Sequence, residues 1–171
     1  VLPRHVLGGP GQVPPSEILY AGLVGCGGQG GEDLRSYISR FGGQFQLVAR
    51  CDVKYRDRAD NKQYYTDFRR VLERKDIDVI SVATPPGWHA TVSVAAMEAG
   101  KDVFCEKPTK TIAEGRALID EVKRRNAIFQ IGLEDRSVTH YHKMVELVRY
   151  GAIGDVGKVD VSLTTGIVNS T

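Results

Sequence analysis

Long apolar runs are missing from this sequence of 171 residues, and none approaches the ~20 residues that a membrane-spanning helix needs. A surplus of one charge is missing too: 23 Lys and Arg stand against 21 Asp and Glu, a formal net charge of +2. With acids and bases interspersed there is no nucleic-acid footprint. Arg69-Arg70, Arg74-Lys75 and Lys123-Arg124-Arg125 read as solvated helix faces and ends. Cysteine is scarce, at Cys26, Cys51 and Cys105 only. An odd number without metal-ligand spacing argues against a disulfide framework and against a zinc site, so buried free thiols near strand ends are expected. Internal repeats and low-complexity tracts are absent. So is a recognisable signal peptide: residue 1 opens into Val1-Leu2-Pro3-Arg4-His5-Val6-Leu7-Gly8-Gly9-Pro10-Gly11, without a Met. That lead-in, with Pro14-Pro15-Ser16 closing it, reads as an extended arm over residues 1–17.

What remains is an alternation of apolar runs and amphipathic stretches, long enough to bury one good core plus an appendage. Strands are expected at 18–24, 45–51, 77–83, 102–105, 127–131 and 158–165. Between them, helical spacing places Leu34, Tyr37, Ile38 and Phe41 on one face, and Phe68, Val71 and Leu72 on another within 66–74. Residues 88–99 are rich in small apolar side chains and stop at Gly100. Thr111-Ile112-Ala113-Glu114 is a capping box opening a helix to about Arg125, and Tyr141, Met144, Val145 and Val148 mark a last helix ending near Gly151. This order predicts an α/β fold with a doubly wound parallel sheet, in which ligands bind beyond the carboxyl ends of the strands. Four segments would converge there: the glycine-rich loop after the first strand, Asp52, residues 84–89 and residues 106–108.

The glycine-rich loop is Gly25-Cys26-Gly27-Gly28-Gln29-Gly30, between the first strand and the first helix. Gly25 allows the tight turn, Gly27 lets the backbone approach a pyrophosphate, and Gly30 lets helix and sheet pack closely. The pyrophosphate would sit on the unpaired N–H groups at the helix start, near Gly28 and Gln29, where the helix dipole favours negative charge. Asp52 lies 22 residues after Gly30 at the end of the next strand, where a carboxylate accepts hydrogen bonds from ribose hydroxyls. A dinucleotide is the first reading. S-adenosylmethionine in a methyltransferase is the competing one, since such enzymes use the same turn and acid.

In this order, GCGGQG, CD, DVISVATPPGWH, DVFCEKP, QIGLEDRS and YGAIGDVGKV resemble the Gfo/Idh/MocA family of nicotinamide-dependent oxidoreductases over about residues 18–165. The resemblance implies a Rossmann-type dinucleotide-binding domain at 18–134. Residues 135–171 would then be the linking helix and first strand of a second α/β domain, and the sequence a fragment of a larger enzyme. It implies hydride transfer between NAD(P) and a sugar, polyol or related alcohol, with Lys107 as the catalytic residue at the reacting oxygen. A lysine beside Pro108 would otherwise read as a solvated turn residue. Glu106 would contact the cofactor or orient Lys107. Thr84, Pro85, Trp88 and His89 match the segment beneath the cofactor, His89 as a structural or cofactor-side residue rather than the general acid. Arg136 matches an arginine near the substrate in some members, with a surface salt bridge as the alternative.

The family's Asp-x-x-x-His pair is not matched, because Asp135 and His140 are five apart and precede the last expected strand. Asp52 would repel a 2′-phosphate and favour NAD, while Lys54, Arg56 and Arg58 leave NADP open. A full-length homo-oligomer is implied, in the cytoplasm or, since the arm is similar to a subgroup with twin-arginine export signals, the periplasm. A non-catalytic dinucleotide-binding module is the other functional alternative.

Overall fold

Six parallel strands in the order β3-β2-β1-β4-β5-β6 organise the chain. The structure is a computed structural model that describes residues 13–58 and 63–162. Residues 1–12, most of the expected arm, lie outside the described residues. The chain divides into two compact units, Val1–Gly132 and Leu133–Thr171.

In the first unit, β1 (Leu19–Val24) leads through the glycine-rich loop into α1 (Gly28–Phe41) and β2 (Phe45–Cys51). β3 (Tyr64–Tyr65) and α2 (Phe68–Leu72) precede β4 (Val79–Val82). α3 (His89–Glu98), β5 (Asp102–Cys105), α4 (Ile112–Arg125) and β6 (Phe129–Ile131) complete the unit. After β3 the chain crosses to the other side of β1, so β1 and β4 flank the point where strand order reverses. Ligand crevices of open α/β sheets form at such points.

One sheet face carries Ala49, Cys51, Ile80, Val82, Val103 and Cys105, packed with Val71, Leu72, Val92, Ala96, Met97 and Leu118 from α2, α3 and α4. Side chains alternate along a strand, so Ser81 and Phe104 face the other way. There Tyr37 of α1 sets its ring 5.6 Å from Phe104 and 5.5 Å from Phe45. α3 is apolar nearly all round because it is buried within its layer, as its sequence requires. The capping box at α4 forms: Thr111 Oγ1 accepts the Glu114 N–H at 3.2 Å, and the Thr111 N–H reaches Glu114 Oε2 at 2.9 Å. Lys101 is buried where β5 begins, its Nζ donating to the carbonyls of Arg74 (2.8 Å) and Ile77 (2.7 Å).

The ladder registers end flush. Tyr65 pairs with Cys51, Cys51 with Val24, Val24 with Val82, Val82 with Cys105 and Cys105 with Ile131. The residues that follow, Thr66, Asp52, Gly25, Ala83, Glu106 and Gly132, therefore form one row along the carboxyl edge.

Two expectations change. β3 was not anticipated, because two residues carry no periodicity. The strand expected at 158–165 is not formed by residues 158–162, which are exposed and unpaired, since no described segment offers them a ladder. Residues 163–165 lie outside the described residues. The second unit contains a short 3₁₀ turn, Glu134–Ser137, and α5 (Thr139–Arg149).

Candidate functional site

The turn out of β1 is as tight as its glycines require. Gly25 has φ of +90°, and a Cβ there would stand 2.5 Å from the Ala83 carbonyl oxygen, so the β1 and β4 ends meet backbone to backbone. A Cβ at Gly30 would run into the Gly25 carbonyl oxygen, so α1 sits directly on the loop. Gly27 and Gly28 differ, because a Cβ at either would meet nothing within 4 Å. Their space is open on the outside of the loop.

α1 starts at Gly28 with Gly27 as its N-cap, and neither a side-chain cap nor an acidic residue occupies the first turn. The first-turn N–H groups of a helix have no intrahelical acceptor, so this end offers donors and a positive dipole to an anion. Gln29 turns away, its Nε2 donating to Asp33 Oδ1 at 2.9 Å.

Asp52 braces this loop. Its Oδ2 accepts the Cys26 N–H at 2.8 Å and its Oδ1 accepts the Lys54 N–H at 3.0 Å. A carboxylate has about four lone-pair sites, so two hydroxyls can still be received. Cys26 Sγ lies 3.5 Å from the Cys51 carbonyl oxygen, and burial, with Asp52 nearby, pushes the Cys26 thiol up to about 11.

A cleft of about 560 Å³ opens above the β1–β4 junction. Gly25, Asp52, Thr84, Pro85 and Trp88 line it, whereas Glu106, Lys107 and Pro108, expected to converge on the same crevice, do not. Thr66, Asp67, Phe68 and Arg69 also line it and were not foreseen. Their signal was a helix start, Thr-Asp before an apolar residue, placed at a strand's carboxyl end. Asp67 caps α2 through the Arg69 N–H at 3.0 Å and takes the Arg69 guanidinium at 3.0 Å, which holds its carboxyl below the usual carboxylate range.

The turn after β5 holds a second group. Glu106 is 5% exposed, and Lys107 Nζ lies 3.3 Å from its Oε2, with the lysine side chain 39% exposed. A Cβ at position 132 would strike Glu106 Oε1, so Gly132 makes the room in which this carboxylate lies. The Lys107–Pro108 peptide is cis. His89 does not line the cleft. It is 1% exposed, with Nε2 2.6 Å from the Thr84 carbonyl oxygen and Nδ1 2.9 Å from that of Pro108. Arg136 is exposed in the second unit, within the turn Glu134–Ser137.

Strand order, flush strand ends, glycine loop and the acid after β2 together define a dinucleotide-binding α/β domain of the Rossmann type. Residues 19–133 match the sequence profile of the Gfo/Idh/MocA oxidoreductase family, NAD-binding Rossmann fold, and the chain belongs to that family. The inositol 2-dehydrogenase of Salmonella typhimurium is 33% identical over 145 residues, covering 80% of this chain and 43% of the relative. The structure of myo-inositol 2-dehydrogenase from Lactobacillus plantarum superposes with a TM-score of 0.67 at 29% identity, covering 81% of this chain and 43% of that one. The WlbA dehydrogenase of Bordetella pertussis, solved with NADH and UDP-GlcNAcA, shares the fold with a TM-score of 0.66 at 21% identity, over 78% of this chain and 42% of that one. The chain thus spans about two fifths of the length of the curated relatives named here. Membership in this family removes the methyltransferase alternative. Among the described residues no helix is long and apolar enough to cross a membrane.

Proposed function

We propose that this chain is the cofactor-binding part of an NAD-dependent dehydrogenase acting on a polyol or sugar. The observation that carries the reading is the single row of strand ends. Asp52 and Glu106 follow strands three ladder steps apart, about 14 Å at ~4.8 Å per step. A two-nucleotide ligand bridges that span and a single nucleoside does not.

The residues fit such a ligand. The open space beside Gly27 and Gly28 and the donors of α1 suit a pyrophosphate. The remaining acceptor sites of Asp52 suit an adenosine ribose, beside the wall of Thr84, Pro85 and Trp88. Asp52 also favours NAD over NADP, because it would repel a 2′-phosphate. When bound, the nicotinamide supplies hydride acceptance or donation. Lys107, as the neutral amine, would accept the hydrogen bond of the substrate hydroxyl, take that proton during oxidation and end as the ammonium that pairs with Glu106. The name of the inositol relatives supports a polyol over other alcohols. The acid/base partner of Lys107, the residues that choose the substrate and a homo-oligomeric interface are assigned to the length the relatives have beyond this match.

Calorimetric titration of the chain with NADH and NADPH tests the cofactor assignment. NADH should bind and NADPH should bind more weakly. Asp52→Ala should lose about tenfold or more in NADH affinity, as expected for hydrogen bonds to a charged group, and narrow the difference between the two. Absence of NADH binding at sub-millimolar concentration would overturn the reading. In a protein of the relatives' full length, Lys107→Ala should abolish most turnover while leaving cofactor affinity nearly unchanged.

A further inference from the structure

The two turns that carry the proposed chemistry belong to different strands. One follows β4 and holds Thr84, Pro85 and Trp88 at the cleft; the other follows β5 and holds Glu106, Lys107 and Pro108. Ladder pairing fixes them only as far as Val82 and Cys105. Beyond the ladder, Glu106 N–H still reaches the Val82 carbonyl at 2.8 Å, but Pro85, Pro86 and Pro108 have no N–H with which to extend a ladder. Something else must set the spacing between the turns.

The ring of His89 spans that gap. It sits on the first residue of α3, within the core, and each ring nitrogen faces one main-chain carbonyl: Nε2 faces Thr84 and Nδ1 faces Pro108. A neutral imidazole donates to one of these and an imidazolium to both. Only with both nitrogens donating is the ring a rigid spacer bonded to one turn at each end. Lys107 is therefore held twice: its ammonium pairs with Glu106, and its main chain is tethered one residue on, through Pro108.

We propose that His89 is a positioning residue. By locking the Pro108 carbonyl to the Thr84 turn, it sets where Lys107 holds its side-chain nitrogen beside Glu106 at the carboxyl edge, without touching any ligand itself. The proposal rests on the assignment of Lys107 above, and a histidine that only fills the core would leave Lys107 indifferent to its replacement.

The side-chain nitrogen of Asn stands near the position of Nδ1, and that of Gln near Nε2. His89→Asn should therefore keep the link to Pro108 and give up the one to Thr84, whereas His89→Gln should do the reverse. Both variants are made in the full 171-residue chain and checked for cooperative melting. Lys107 is then labelled with acetic anhydride, its rate read by peptide mass spectrometry against Lys143 in the same sample, and NADH affinity is measured by calorimetry. His89→Gln should change the Lys107 labelling rate by about fivefold and leave NADH affinity near wild type. His89→Asn should keep the wild-type labelling rate and weaken NADH instead.

An unchanged Lys107 rate in folded His89→Gln would overturn the proposal. So would an equal change of rate in both variants, which would mark a general loosening of the core. If neither variant folds, the wild-type chain decides: with ¹⁵N-labelled histidine, a ring N–H of His89 should be protected from solvent exchange, and rapid exchange would overturn the tether. Labelling does not depend on turnover. If Lys107→Ala leaves the turnover of the full-length protein intact while His89→Gln shifts labelling, the assignment of Lys107 fails and the tether stands.

Discussion

Four glycines in one loop of six residues do not do the same work, and substitution separates them. Gly30 is constrained by the protein itself, because a methyl group there would strike the Gly25 carbonyl oxygen. Gly30→Ala should destabilise the chain by about 1–3 kcal/mol, the usual range for an overpacked contact, and lower its melting temperature even without ligand. Gly27 is constrained by nothing in the protein, since a Cβ there meets open space and the residue has ordinary extended backbone. Gly27→Ala should leave thermal stability within ~0.5 kcal/mol of wild type while weakening NADH. Calorimetry and thermal melts on both variants check this opposition. Equal affinity for NADH in wild type and Gly27→Ala would remove the pyrophosphate from that face of the loop.

Among the elements, α4 offers the clearest separation of local from tertiary stability, because its start is fixed by a reciprocal cap and its end by Asn126 in the left-handed region with φ of 51°. Thr111→Ala removes the oxygen that accepts the Glu114 N–H and should cost about 1 kcal/mol, read as a lower denaturant midpoint with an unchanged slope. That cap was legible in the sequence because it is a four-residue pattern. β2 and β5 were legible to the residue, each being a short apolar run bounded by turn residues. β4 is shorter than its apolar run: Ile77 is buried but stands outside the ladder, and Asp78 leads into it. β3 escaped because two residues have no period. Residues 158–162 alternate as a strand does, but alternation makes a strand only where a partner edge exists. In the site, the glycine loop and Asp52 could be read because their spacing is local. The tether through His89 could not, since its partners are main-chain carbonyls on two turns and no residue type announces them.

At the scale of the whole molecule, the three thiols lie on or beside the central strands. Burial raises Cys26 and Cys105 to about 11 and Cys51 to about 12, from 9.0 for a free thiol. The folded chain holds these protons to higher pH than the unfolded chain does. Their contribution to stability is therefore complete below about pH 9 and is lost as pH rises through the folded values. Ultraviolet absorbance of thiolate should appear together with the loss of helical circular dichroism in an alkaline titration. Thiolate formed well before unfolding would contradict this packing. A different consequence follows from the cleft wall. Trp88 is the sole tryptophan of the chain, it is 54% exposed, and it lines the cleft assigned to the nucleotide. Indole emits in the near ultraviolet, where reduced nicotinamide absorbs. The molecule thus carries its own optical gauge of occupancy, and any quenching by a nucleotide comes from one known side chain, with no dye attached and no residue replaced.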